Sequence, residues 1–77
     1  MNKEVLLYRS ARRRQLPDPD TRKRIRESAR VSQEELAAVC GVSRSTICRW
    51  ETGTRTPRGQ HADEYIELLW DLEGTQR

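Results

Sequence analysis

Arg44, Ser45 and Arg49 lie close together in the chain, and all three side chains can donate hydrogen bonds. An arginine fork matches the O6 and N7 atoms of guanine or the oxygens of a phosphate, and a serine hydroxyl can bond either kind of acceptor. At about 100° per residue these three fall with Cys48 on one half of a helix, while Thr46, Ile47, Trp50 and Glu51 fall on the other. One face is built to touch and the other to pack. The chemistry implied is recognition through donors. No nucleophile paired with a base, no pair of cleft carboxylates and no phosphate-cradling glycine loop is apparent, so no enzymatic activity is expected.

Cys40, Cys48 and His61 are the residues from which a metal site would have to be assembled. A structural zinc ordinarily takes four nitrogen or sulfur ligands, which these three cannot complete. Neither a metal nor a cofactor is expected. Cys40 reads as a small buried hydrophobe ending its helix, and Cys48 as a reduced thiol near the outward face.

The donors need elements to hold them, and the run Val31 to Gly53 provides two. Ser32 can cap a first helix, with Glu35 three residues on to bond back to it, ahead of the apolar Leu36 and Ala37. Gly41 supplies a turn. Ser43 then opens a second helix, which Gly53 closes in the manner of a C′ residue. Two short helices joined this closely form a helix-turn-helix.

The flanks are read in the same way. Lys3 to Leu16 contains Val5, Leu6 and Leu7 followed by Arg12, Arg13 and Arg14, and is either a docked basic helix or an arm that orders on phosphates. Pro17 to Asp20 is a linker in which Asp18 or Asp20 caps a helix running from about Pro19 or Thr21 to Ala29. Ile25 and Ala29 mark its buried side, and Arg26 lies near enough to that side to need a partner. Glu51, on the inward half of the second motif helix, is the candidate. After Gly53, Thr54 to Gly59 reads as a loop, with Thr54, Arg55, Thr56 and Arg58 as phosphate donors or simply as solvated residues. Gly59 to Glu73 reads as one long helix with Ala62, Tyr65, Ile66, Leu69 and Leu72 on a stripe. Leu68 and Trp70 lie off the stripe, and either cover the N-terminal helix or meet a second copy of the chain.

With 77 residues, of which 34% are hydrophobic and none is Phe, the chain can form one small domain with a modest core. Residues 1–16 are expected as a basic helix or arm, and residues 17–77 as the helix-turn-helix domain. The net charge of +3 conceals a gradient, with ten basic and four acidic side chains in residues 1–30 against one and five in residues 61–77. A cationic front and an anionic tail suit contact with nucleic acid on one side and protein on another. No run approaches the ~18 apolar residues of a membrane span, and a cytoplasmic, nucleoid-associated protein is expected.

The run IRESARVSQEELAAVCGVSRSTICRWETGTRTP resembles the phage repressor and Cro class of helix-turn-helix domains, the XRE family. The flanks LPDPDTRK and PRGQHADEYIELLWDL resemble small members from actinobacteria and their phages. The resemblance implies an all-α, lambda repressor-like bundle of about five helices. It further implies that Arg44, Ser45 and Arg49 read bases in the major groove. Gln33, Ser43, Thr46 and Thr52 would hold the phosphate backbone, and Arg26 and Glu51 would form a buried ion pair. Relatives often carry glutamines where this chain has Arg44 and Arg49, so a GC-containing site is expected. The resulting expectation is a transcriptional regulator, in the first place a repressor, binding an inverted-repeat operator in double-stranded DNA as a homodimer. The alternative is a protein-interaction module or antitoxin-type adaptor built on the same fold.

Overall fold

The computed structural model describes Lys3, Glu4 and residues 16–74. The described residues form four helices, α1 (Pro19–Ser28), α2 (Gln33–Cys40), α3 (Arg44–Thr52) and α4 (Gly59–Gly74), and no strand. The sequence pattern predicts about five. The additional helix, over Lys3 to Leu16, lies almost wholly outside the described residues, as do Arg12, Arg13 and Arg14.

The starts of α1, α2 and α3 each follow from a side chain that satisfies an otherwise unpaired backbone N–H. Asp18 caps α1, accepting from the Thr21 N–H at 2.8 Å and the Thr21 hydroxyl at 3.0 Å, and those bonds hold its carboxyl below the ordinary 3.8. Pro19 occupies the first turn, where its fixed φ suits a helix and its missing N–H costs nothing. Half of the expected Pro17 to Asp20 linker is therefore already helix. Ser32 and Glu35 form the capping box of α2, at 3.0 and 2.9 Å, which lowers the Glu35 carboxyl from its usual 4.5. Ser43 caps α3 through the Thr46 N–H at 3.2 Å.

The helix ends are equally local. Arg30 closes α1 at φ 59°, with its N–H on the Glu27 carbonyl at 3.0 Å and the Val31 N–H on the Arg26 carbonyl at 3.2 Å. This pair of bonds is the Schellman arrangement, made here without the usual glycine. Gly41 and Gly53 turn the chain at φ 71° and 77°. Gly53 is doubly constrained, because a Cβ there would lie 3.3 Å from Pro19 Cγ.

The core lies where α3 packs against α1 and α2, with α4 across α1 and α2. Ile25, Leu36, Cys40, Ile47, Tyr65 and Leu69 are almost completely buried in it. Complete burial of a leucine or isoleucine stabilises by about 1.5–3 kcal/mol, so these few positions carry most of the driving force of so small a domain. The α4 stripe is inward as predicted, with Leu72 partly buried. Leu68, off that stripe, also packs against the core of its own chain, and Trp70 is half-buried.

Tyr65 stacks on Trp50 with ring centroids 4.7 Å apart and planes tilted by 38°. Its hydroxyl is buried and has no hydrogen-bond partner among the described residues, and burial pushes its ionisation strongly upward. Removing an unsatisfied buried hydroxyl relieves a desolvation cost. Tyr65→Phe is therefore expected to leave stability unchanged or raise it by up to about 1 kcal/mol in urea unfolding. A loss of comparable size would show that the hydroxyl is bonded in solution.

Candidate nucleic-acid interface

α3 presents the face that the wheel predicts. Ile47, Trp50 and Glu51 are buried, whereas Arg44, Ser45, Cys48 and Arg49 are exposed. What fixes the angle of that face is a polar cluster beneath it. Arg26 donates from Nε to Glu51 Oε2 at 2.6 Å and from Nη2 to Oε1 at 3.0 Å, and its Nη1 reaches the Val31 carbonyl at 2.9 Å. Gln33, at the start of α2, donates from Nε2 to Glu51 Oε1 at 3.1 Å. One carboxylate on α3 is thus gripped from α1 and α2 together. The bond to Glu51 raises the Arg26 pKa further above its ordinary value.

Arg22 is a second anchor and is not among the residues singled out in the sequence. It is 8% exposed, donates from Nε to the Pro17 carbonyl at 2.6 Å, and from Nη1 to the Trp50 carbonyl at 2.8 Å. Trp50 belongs to the last turn of α3, whose carbonyls have no partner within the helix, so Arg22 caps the recognition element from α1. Its position three residues before Ile25 and four before Arg26 places it on the same helix face, and that spacing was the available signal.

The arginines divide sharply by what they already bond. Arg22 and Arg26 use their guanidinium groups inside the fold. The side chains of Arg44, Arg49, Arg55 and Arg58 are exposed and make no hydrogen bond or ion pair among the described residues. Four cationic forks thus stand open on and just beyond α3.

The hydroxyls also differ among themselves. Ser43 and Thr46 share a hydroxyl bond at 2.9 Å, and Ser43 Oγ accepts the Thr46 N–H, so the pair keeps one proton for an outside acceptor. Thr52 donates to the Arg49 carbonyl at 3.2 Å and lies 2.9 Å from the Thr54 hydroxyl. With the Thr52 proton engaged, Thr54 is the donor in that second bond, and neither hydroxyl has a proton left for phosphate. In the free protein they hold the turn after α3 together with the Arg55 N–H, which reaches the Arg49 carbonyl at 3.2 Å.

The sequence model of the helix-turn-helix family matches residues 23–69, well over half of the chain. The chain belongs to the XRE-like helix-turn-helix family of DNA-binding proteins. The match runs from α1 through most of α4, and so includes every element that grips Glu51. Neither a curated protein nor a solved structure matches the chain. In this helix-turn-helix protein α2 and α3 are the motif pair, α1 and α4 support them, and DNA is the partner. No helix of the described residues is long and apolar enough to cross a membrane.

The cysteines stand apart from this interface in different ways. Cys40 is fully buried at the end of α2, where burial and nearby Glu64 push its thiol up to about 11. Cys48 is a free thiol on the exposed face of α3. His61 donates from Nδ1 to the Cys40 carbonyl at 3.0 Å, tying α4 to the end of α2. With Val42, Thr46, Trp50, Thr54, Arg55, Thr56 and Arg58 it lines a cleft of about 570 Å³ beside α3.

Proposed function

We propose that the protein is a sequence-specific transcriptional regulator that inserts α3 into the major groove of double-stranded DNA. The observation that carries this reading is the set of open guanidinium groups of Arg44 and Arg49 on α3, whose other face is locked into the core, and of Arg55 and Arg58 in the loop that follows it. Arg44, Ser45 and Arg49 read base edges, with the two arginines favouring guanine. Arg55, Arg58, the second amide proton of Gln33 and the spare proton of the Ser43 and Thr46 pair contact phosphates. Thr52 and Thr54 serve this interface by shaping the turn, and join the phosphate set only if DNA breaks their mutual bond. Arg12, Arg13 and Arg14 add sequence-independent affinity.

A nine-residue helix is about 13 Å long and so spans about four base pairs, too few to mark a unique site. Two copies on an inverted repeat, with half-sites about 34 Å apart, double that information. Leu68 and Trp70, which the sequence leaves to cover within the chain or to pairing of two copies, are at least partly covered within one chain, so pairing is argued from site length alone. Occupancy of such a site acts most directly as repression.

Titrating random duplex DNA across a salt series tests the reading. Affinity is expected to fall linearly in log–log form with a slope near −0.9 for each phosphate neutralised. Binding too weak to measure at low salt would favour a protein-interaction role. Site selection from random DNA should recover a GC-containing inverted repeat.

A further inference from the structure

We propose that the cleft beside α3 is a seat for one phosphate of the DNA backbone, and that His61 closes it by taking up a proton on Nε2. The inference rests on the DNA-binding reading above.

The lining is the first reason. The cleft walls carry two guanidinium groups, an imidazole and the hydroxyls of Thr46, Thr56 and Thr54, the last with its proton held by Thr52, and no carboxylate. Neither Arg55 nor Arg58 makes a side-chain bond within the described residues, so both can turn toward an anion. Val42, Thr46 and Trp50, which also line it, follow one another at helical spacing along and just before α3. An anion held there lies directly against the recognition helix, where a backbone phosphate flanking the groove would be found.

His61 supplies the second reason. A carbonyl oxygen only accepts, so the 3.0 Å contact with the Cys40 carbonyl places a proton on Nδ1. In the neutral ring Nε2 then carries a lone pair and cannot donate to phosphate. Protonation converts the same atom into a charged donor, and no other bond of His61 within the described residues competes for it. The phosphate contact therefore requires the imidazolium, and binding is linked to uptake of a proton.

The charges around the ring act in both directions. Arg55 and Arg58, from the loop, oppose a third cation while the cleft is empty. The C-terminal end of α2, to which Nδ1 is bonded, favours a cation, as does Glu64 one turn along α4. Val42, Thr46 and Trp50 carry no charge, and the Cys40 thiol is held neutral by burial. An entering phosphodiester brings one negative charge, which offsets one of the two arginines and weakens their opposition to the imidazolium.

The chain has a single histidine, so a proton taken up between pH 8 and pH 6 can be assigned by one substitution. Affinity for random duplex DNA should rise about three- to tenfold over that interval in the wild type. The slope against log salt should steepen as one more cation meets the backbone, by no more than about 0.9. His61→Gln should lose the response to pH, with its folding checked by thermal melting. His61→Asn serves if the glutamine variant is unstable. Tight binding that is flat with pH in the wild type overturns the proposal and leaves the DNA reading intact, and so does a pH response that survives in the variant. No binding at either pH, even at low salt, overturns both.

Discussion

Glu51→Ala is expected to lower the free energy of unfolding by about 3–5 kcal/mol, because it strands the Arg26 guanidinium in the interior. Glu51 is 4% exposed and accepts three hydrogen bonds from two other helices. Alanine removes the carboxylate but leaves the arginine with only the Val31 carbonyl as a partner. A chain of 77 residues has a total stability of about 4–12 kcal/mol. The variant should therefore melt far below the wild type or be unfolded at room temperature. Urea unfolding followed by Trp50 and Trp70 fluorescence measures the change directly.

The same measurement separates the cost of a broken pair from the net contribution of the intact one. Desolvating two ions offsets much of their attraction, so replacing both by apolar residues of similar volume need not destabilise. Arg26→Met combined with Glu51→Leu should recover most of the stability lost in Glu51→Ala. What the double variant should not recover is the setting of α3 against α2, since Gln33 also loses its acceptor. Weaker DNA binding at restored stability is the expected signature. A single variant with an unchanged melting temperature would show that the pair contributes nothing, contrary to the burial and the 2.6 Å contact.

Much of this was legible in the sequence because the determinants are local. The capping box at Ser32 and Glu35, the cap at Ser43 and the turns at Gly41 and Gly53 each depend on a few neighbouring residues, and all lie where the pattern puts them. The two faces of α3 follow from helical period alone. The Arg26 and Glu51 pair could be anticipated because a charged side chain on a buried face needs an opposite charge on another. The anchoring by Arg22 is not legible in the sequence, because its acceptors are main-chain carbonyls, which every residue has and no pattern marks. The engagement of the Thr52 and Thr54 hydroxyls is hidden for a related reason, since residue type shows that a proton exists but not where it points. His61 reads from sequence only as a metal ligand, because its bond to the Cys40 carbonyl depends on how α4 crosses the end of α2.

Arg49→Ala is expected to weaken binding to the preferred DNA site by about 1–3 kcal/mol and to flatten base preference at one position of each half-site. Arg49 lies in the last turn of α3, exposed and without a side-chain partner, while Ile47, Trp50 and Glu51 around it fix the helix beneath. Removing its guanidinium therefore changes no packing, and stability should move by no more than about 0.5 kcal/mol. That separates it from Glu51→Ala, where binding fails because the fold does. Arg58→Ala is the second control: a phosphate contact should weaken all sequences alike and reduce the salt slope by about 1. Site selection with the wild type and both variants gives the comparison. If the Arg49→Ala profile kept full preference at every position while affinity fell uniformly, Arg49 would be a backbone contact, and base reading would rest with Arg44 and Ser45 at the start of the helix.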